Sequence, residues 1–347
     1  MEEQKDMERL LGLLPHPAFF AQDDTVRLVN DAAARLLLEP GQPVSALLGE
    51  AAQDHALLDR GALFLPGVLE GYAATATAVS GGELFVLEAD RDQPVLQALA
   101  LASQTIRQPL ADLISRLSLL HPDRKETGMA QLDRDLLRLQ RLVCNMSDAA
   151  RYAQEPVSKL VSMDVCSVVD EIMERAAVLV AQGGWTLEWH CPREPAITLV
   201  DREKLERGLH NMLSNALKAA PKGSVLYFSM TRRDRRLYLT LRDRGPGIEE
   251  GAMGRLFARY LRQPGLEDPQ NGLGLGMSLI CAAASVHGGT VLVTRPPEGG
   301  TQVTMSMALR RSGGDTIRAQ SLPFDYAGEQ DHALLELADV LPPESYL

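Results

Sequence analysis

No stretch of this 347-residue chain approaches the roughly 18 consecutive apolar residues that a membrane-spanning helix needs. Its first twenty residues also lack the character of a secretion signal. Glu2, Glu3 and Asp6 stand among Lys5 and Arg9, and Pro15 and Pro17 follow. The expectation is a cytoplasmic protein. Cysteine is scarce: Cys144, Cys166, Cys191 and Cys281 show no CxxC spacing and read as reduced structural thiols rather than zinc ligands. Basic charge is in deficit. The 35 Lys and Arg against 46 Asp and Glu give a formal charge of −11, which argues against a nucleic-acid partner. The one dense basic stretch, Arg232, Arg233, Arg235 and Arg236, flanks an expected hairpin and reads as a solvated turn.

What is present divides into four parts. Residues 1–90 open with a short amphipathic helix ending before Pro15. They then alternate short apolar strands with turns, including an Asp23-Asp24 turn, a helix opening near Asn30 or Asp31, and a Gly81-Gly82 hairpin. Residues 91–156 carry two stripes in alternating steps of four and three. One runs through Leu99, Ser103, Ile106, Leu110, Leu113, Leu117 and Leu120, the other through Leu132, Leu136, Leu139, Val143, Met146, Ala150 and Ala153. The polar connector HPDRKETG folds them into an antiparallel hairpin. One hairpin cannot enclose its own stripe, so two copies in a four-helix bundle, a homodimer, are expected. Residues 157–311 alternate helices and strands as an α/β sandwich with helices on one face, including a helix over 202–220 capped by Asp201. Residues 312–347 read as an acidic, flexible tail with one short amphipathic helix in HALLELADVL, and docking on a partner or on the protein itself both stay open. The fold class is multidomain α+β.

Three segments of the sandwich point at one ligand. In LERGLHNMLSNALKAA, Asn211, Asn215 and Lys218 share a helix face; Asn215 offers a hard oxygen for Mg²⁺ and Lys218 a charge for phosphate. In DRGPGI, Asp243 follows a strand and can accept a bond from an exocyclic amine. Gly245 and Gly247 there let backbone approach a flat base. In GLGLGMSLICAAASVHGG, Gly272, Gly274 and Gly276 run into a helix whose first amides suit an anion. Each segment alone is weak, and a loop or a solvated helix face explains it as well. Together, in this order and spacing, they resemble the N, G1 and G2 boxes of the ATP-binding fold of histidine kinases, DNA gyrase, heat-shock chaperones and mismatch-repair proteins. Phe257 matches the F box, and residues 258–271 would then be a lid. The resemblance implies ATP and Mg²⁺ as cofactors.

The front part resembles a PAS-type sensor, with a plain dimerisation module as the equal alternative. With the hairpin, nearly the whole chain resembles a soluble sensor histidine kinase of a two-component system, whose partner is a response-regulator receiver domain. Three positions bear on the chemistry: one separates the chain from the hydrolytic members of the fold, and two depart from the kinase family's H box. Hydrolytic members of the fold carry a Glu one turn before the metal-binding Asn; Asn211 stands there, and a carboxamide is no base at neutral pH. In ASQTIRQPLADL, Ser103, Ile106, Arg107, Pro109 and Leu110 fit the Ser-His-Glu-Leu-Arg-Thr-Pro-Leu type of H box. Gln104, however, replaces the phosphate-accepting histidine and Thr105 the assisting acid. A carboxamide nitrogen is delocalised and nearly non-nucleophilic, so autophosphorylation is expected to be impaired. His121 lies about 26 Å further along a continuous helix (~1.5 Å per residue) and His210 and His287 read as packing residues. Three functions stay open: a nucleotide-responsive degenerate kinase, an autokinase using another acceptor or a partner subunit, and a response-regulator phosphatase in which Gln108 orients water.

Overall fold

The computed structural model describes residues 2–89, 93–120, 127–153, 159–257, 275–310 and 331–346. Helix α1 (Glu2–Leu13) leads into the hairpin β1 (Ala18–Gln22) and β2 (Thr25–Val29). Its turn residues Asp23 and Asp24 both take positive φ, 50° and 56°, the twist a tight two-residue hairpin loop demands. Asn30 organises this corner. Its Oδ1 accepts from the backbone N–H of Ala18 and of Ala33, capping α2 (Asp31–Ala34), and its Nδ2 donates to the carbonyls of Leu11, Leu14 and His16. Short helices α3 (Val44–Leu48) and α4 (Ala52–His55) follow, then β3 (Gly61–Leu69), β4 (Tyr72–Val79) and β5 (Gly82–Ala89). Phe19 stacks on Phe85, with centroids 4.5 Å apart, at the centre of this unit's own core.

Two long helices, α5 (Gln93–Leu120) and α6 (Thr127–Ala153), pack against each other. Helix α5 continues through Pro109 despite the hydrogen bond lost there, worth about 3 kcal/mol. The sandwich follows as β6 (Val161–Asp164), α7 (Val165–Gln182), β7 (Thr186–His190), β8 (Ile197–Val200), α8 (Arg202–Ala219), β9 (Val225–Arg233), β10 (Arg236–Arg242), α9 (Glu250–Met253), α10 (Gly276–Val286), β11 (Val291–Thr294) and β12 (Gln302–Ala308). Strand β6, paired with β8 in a small separate sheet, was not expected from sequence. Along β10 the alternation is plain. Leu237, Leu239 and Leu241 face the helices in the core, while Arg236, Tyr238, Thr240 and Arg242 occupy the opposite, polar face.

The sequence treats residues 1–90 and 157–311 as separate units, yet they share one ten-stranded sheet in the order β2-β1-β5-β4-β3-β11-β12-β10-β9-β7. The joint is β3 against β11, antiparallel, with Gly61 opposite Thr294 and Phe64 opposite Val291. Without β3, β11 would be an open edge with unpaired backbone groups. Because successive residues of a strand point to opposite faces, β3 serves two cores. Ala62 and Phe64 join the sandwich core, and Leu63 and Leu65 join the N-terminal one.

The chain's end docks on the protein itself, one of the two alternatives open at the sequence level. Residues 331–346, read as part of a flexible tail, form α11 (His332–Glu336) and a final 3₁₀ turn, with Leu335, Leu337, Ala338 and Leu341 all at 0% exposure. The reason is apolar content: four side chains of this size and position bury against α6, α7 and α8, and burial of each large one is worth about 1.5–3 kcal/mol. Among the described residues, no helix is long and apolar enough to cross a membrane.

Candidate nucleotide-binding site

Helix α8 is the spine of the site. Asp201 caps it, with Oδ1 accepting from the Lys204 N–H, and the Asp201 N–H itself donates to Nε2 of buried His287. His287 in turn donates from Nδ1 to the Ala283 carbonyl, which fixes the neutral tautomer; burial holds its pKa below the ordinary value. Gly208 lets α10 cross closely, since a Cβ there would lie 2.8 Å from Ala283 Cβ. That crossing brings the start of α10 onto the last two turns of α8. A Cβ at Gly276 would lie 3.2 Å from Asn211 Oδ1 and 3.4 Å from Asn215 Oδ1. Two of the three sequence segments therefore meet.

The third reaches the same helix end. Asp243 is buried, and its Oδ1 accepts from the N–H of Gly245 at 2.7 Å and of Thr301 at 3.0 Å. Burial raises its pKa, against the pull of these hydrogen bonds. Gly245 runs against the C-terminal turn of α8, where a Cβ would lie 2.8 Å from the Ala219 carbonyl oxygen. Gly247 has φ +78°, and a Cβ there would sit 3.0 Å from the Gly300 carbonyl oxygen and 3.1 Å from Arg295 Nε. Gly272, Gly274 and the lid segment 258–271 lie outside the described residues.

Four placements differ from the sequence reading or add to it. Asn211 is 1% exposed: its Nδ2 donates to the Arg207 carbonyl at 2.8 Å, and its Oδ1 accepts from Arg141 Nη2 at 3.2 Å. A helix-face polar residue is thus sealed in by α6 and the C-terminal segment. Phe257 is buried against Phe64 of β3, ring centroids 5.8 Å apart, because the N-terminal unit packs onto it. Arg236 is no solvated turn residue. It is 3% exposed and bonds Asp54, whereas Arg232, Arg233 and Arg235 are exposed. The fourth concerns charge. Lys218 Nζ donates to Asp339 Oδ2 at 2.8 Å, an acid that sequence reading left in the tail.

In the hairpin, Ser103 is 1% exposed and Gln104 next to it is exposed. The Thr105 hydroxyl donates to the Leu101 carbonyl, and exposed Gln108 donates from Nε2 to Asp112 Oδ1 at 3.0 Å. His121 lies outside the described residues. His210 is 1% exposed, and burial lowers its pKa. All four cysteines are free thiols, and burial raises the pKa of Cys191 to about 12.

This assembly, two amides on a helix, a glycine opening the next helix and a carboxylate after a strand, coincides with a matching family model. Residues 200–311 match the model of the histidine kinase-, DNA gyrase B- and HSP90-like ATPase family. Part of the chain is also similar to sensor histidine kinases. It is 29% identical over 223 residues to the sensor protein KdpD of Mycobacterium tuberculosis, covering 60% of this chain and 25% of that protein. To the signal transduction histidine-protein kinase BaeS of Escherichia coli it is 29% identical over 225 residues, 61% of this chain and 46% of that one. The adaptive-response sensory kinase SasA of a Synechococcus species matches at 25% over 276 residues, 76% and 71%. The chain thus spans less than half the length of the first two. Full-length ShkA, solved in complex with AMPPNP, shares the fold with a TM-score of 0.51 at 21% identity over 63% of this chain and 47% of that one. ATP binding is the shared property of the ATPase family that residues 200–311 match.

Proposed function

We propose that this chain is a sensor-histidine-kinase-type signalling protein whose ATPase-family domain binds ATP with Mg²⁺ and whose own phosphoacceptor function is lost. The reading rests chiefly on Asn211 and Asn215 of α8 facing Gly276 at the start of α10, with Asp243 beside the same helix end. Asn215 would hold the metal, Lys218 the phosphates, Asp243 the base's amine; Gly245, Gly247, Gly272, Gly274 and Gly276 would give backbone access, with Phe257 as the F-box phenylalanine. The donor set fits: hard oxygens and one ammonium, without a Cys or His cluster. Mg²⁺ held there would supply positive charge to offset that of the phosphates. Asn211 supplies no base for water, so transfer to a side chain, and not hydrolysis, is the chemistry the site favours.

Gln104 supplies no nucleophile, so the output would be conformational: a PAS-like sensor over residues 1–90, a dimerisation hairpin over 91–156, and a response-regulator receiver domain as partner. A homodimer is favoured by the apolar residues the hairpin leaves open, Leu101, Ile106, Leu113, Leu132 and Leu139, each at least 41% exposed. A phosphatase acting on the regulator is the second reading, favoured by exposed Gln108 one turn beyond Gln104; Gln108→Ala leaving dephosphorylation unchanged rules it out. The deciding experiment incubates the protein with Mg²⁺ and γ-labelled ATP. Nucleotide binding with no protein-bound label is the expected result. Acid-labile, alkali-stable label overturns the loss of the acceptor, and absence of nucleotide binding overturns the whole reading.

A further inference from the structure

Glu336 and Asp339 of the C-terminal segment reach into the neighbourhood of the candidate nucleotide site. Asp339 Oδ2 accepts from Lys218 Nζ at 2.8 Å and from Arg141 Nη1 at 2.5 Å. Glu336, with no exposed surface, accepts from Arg207 Nε at 3.0 Å on one oxygen and from Arg141 Nε at 3.2 Å on the other. The same Arg141, on α6 of the hairpin and 4% exposed, donates to Asn211 Oδ1. The segment is anchored upstream by Asp331, which caps α11 and takes a two-pronged bond from Arg175 of α7. His332 pairs with Glu206 of α8, and the Ala338 carbonyl accepts from Arg134 of α6.

We propose that Asp339 is a stand-in for nucleotide phosphate, that Arg141 is a further phosphate-contacting residue, and that binding of ATP displaces the segment 337–346. This rests on the nucleotide-site reading above. A lysine ammonium and an arginine guanidinium converging on one anionic oxygen are the donor set a phosphoryl group takes. Asp339 presents one negative charge and two oxygens there; a terminal phosphate presents more of both. The two anions compete for Lys218, and the one that wins decides where Arg141 points. With Asp339 in place, Arg141 ties α6 to Asn211 and to the tail, so the hairpin is clamped on the ATPase domain. With phosphate in place, the clamp loses the Asp339 bonds to both α6 and α8. Nucleotide occupancy is thereby read out by the hairpin, which is the element a regulator would meet.

The test uses the full chain and its Asp339→Asn form, near-identical in shape, each checked for folding by its thermal midpoint. Affinity for Mg-AMPPNP is measured by calorimetry, and amide exchange of residues 331–346 is followed with and without the analogue. Removing the competitor's charge should tighten binding about ten-fold, within the usual range for coupled sites. In the unmodified chain, the analogue should speed exchange over residues 337–346. Affinities equal within a factor of about two, or exchange in the unmodified chain that the analogue leaves unchanged, overturn the proposal. If neither form binds the analogue, the nucleotide-site reading fails first and the displacement with it, a result distinct from equal binding. Arg141→Lys, tested alongside, should bind more weakly than Arg141 in the Asp339→Asn background; equal affinity there removes Arg141 from the phosphate site.

Discussion

Asp54 and Arg236 are 182 positions apart in the chain and bonded at 2.6 Å, with both side chains almost wholly buried. Asp54 lies in α4 of the N-terminal unit, and Arg236 opens β10 in the part of the chain that matches the ATPase family. The same carboxylate also accepts from Thr290 Oγ1 at 2.7 Å, Ser306 Oγ at 2.6 Å and, on its other oxygen, Tyr238 Oη at 2.9 Å. Four donors, two on β10, one on β12 and one just before β11, thus converge on one residue of the other unit, and burial with this bond pushes the Tyr238 phenol up to about 12. The pair ties the N-terminal unit directly onto strand β10, without passing through the hairpin.

Removing Asp54 therefore has a large expected cost. Asp54→Ala leaves the Arg236 guanidinium buried without its counter-charge, a change worth about 3–5 kcal/mol in comparable buried pairs. Replacing both members, Asp54→Leu with Arg236→Met, should recover much of that loss, because the unpaired charge goes with its partner. Urea midpoints of the three variants measure it. A single-site loss under about 1 kcal/mol would mean that the pair is not buried in solution.

Gly61 makes a second test of the same joint. Its φ is +142°, and a Cβ there would run into the Val293 carbonyl oxygen across the β3–β11 ladder. Gly61→Ala should loosen this ladder while leaving the N-terminal core around Phe19 and Phe85 intact. Amide exchange should rise along Ala62 to Phe64 and Val291 to Val293 and stay low at Ala21. Unchanged exchange in β11 would show that the edge strand is covered by other means.

Much of the local structure was legible in the sequence, and the joints were not. The caps Asn30 and Asp201, the Gly81-Gly82 turn and the period of β9 and β10 each act within a few residues, so pattern and chemistry coincide. The 211, 215 and 218 spacing likewise carries its own geometry, because one helix enforces it. Asp54 gives no such signal: it reads as an ordinary helix-end acid until Arg236 is opposite. Arg236 is the mirror case, a turn arginine whose three neighbours are indeed exposed. Glu336 and Asp339 are three apart in an acidic stretch, which suits solvation as well as docking; only Arg141, Arg207 and Lys218 on two other helices decide between them. Long-range ion pairs leave no periodicity to read.

The buried histidines predict the acid limb of stability. Burial lowers the pKa of both His210 and His287 from the ordinary 6.5, and neither His210 ring nitrogen has a hydrogen-bond partner among the described residues. A base whose folded pKa is depressed gives full stability above its unfolded value, lost as the pH falls below it. Stability should thus decline from about pH 6.5 downward, by up to about 1.4 kcal/mol per pH unit for each histidine until its folded value is reached. The carboxylates act later. In Glu336 and Asp339 the neighbouring arginines and Lys218 outweigh burial and hold the pKa low, so their contribution survives until the pH drops below the usual carboxylate range. Urea midpoints between pH 8 and pH 3 should show two steps; a flat profile from pH 7 to pH 5 would contradict the neutral, buried assignment.

Restoring the missing acceptor is the most direct probe of the signalling reading. Helix α5 runs unbroken through Pro109, Ser103 is buried and Gln104 beside it is exposed, so a side chain at 104 is presented on a formed helix. Gln104→His supplies an imidazole lone pair where the carboxamide has none. Thr105 spends its hydroxyl on the Leu101 carbonyl, and Thr105→Glu would replace that local bond with an acid able to orient the imidazole. With γ-labelled ATP, the single variant should acquire acid-labile, alkali-stable label at position 104. The double variant should label faster, by a factor on the order of 10² if the acid contributes as a general base does elsewhere. Label on both and none on the unmodified chain would show that only the nucleophile was lost. Nucleotide binding without label in either variant would mean that the hairpin and the ATPase domain no longer meet in line, and that this chain works by conformation alone.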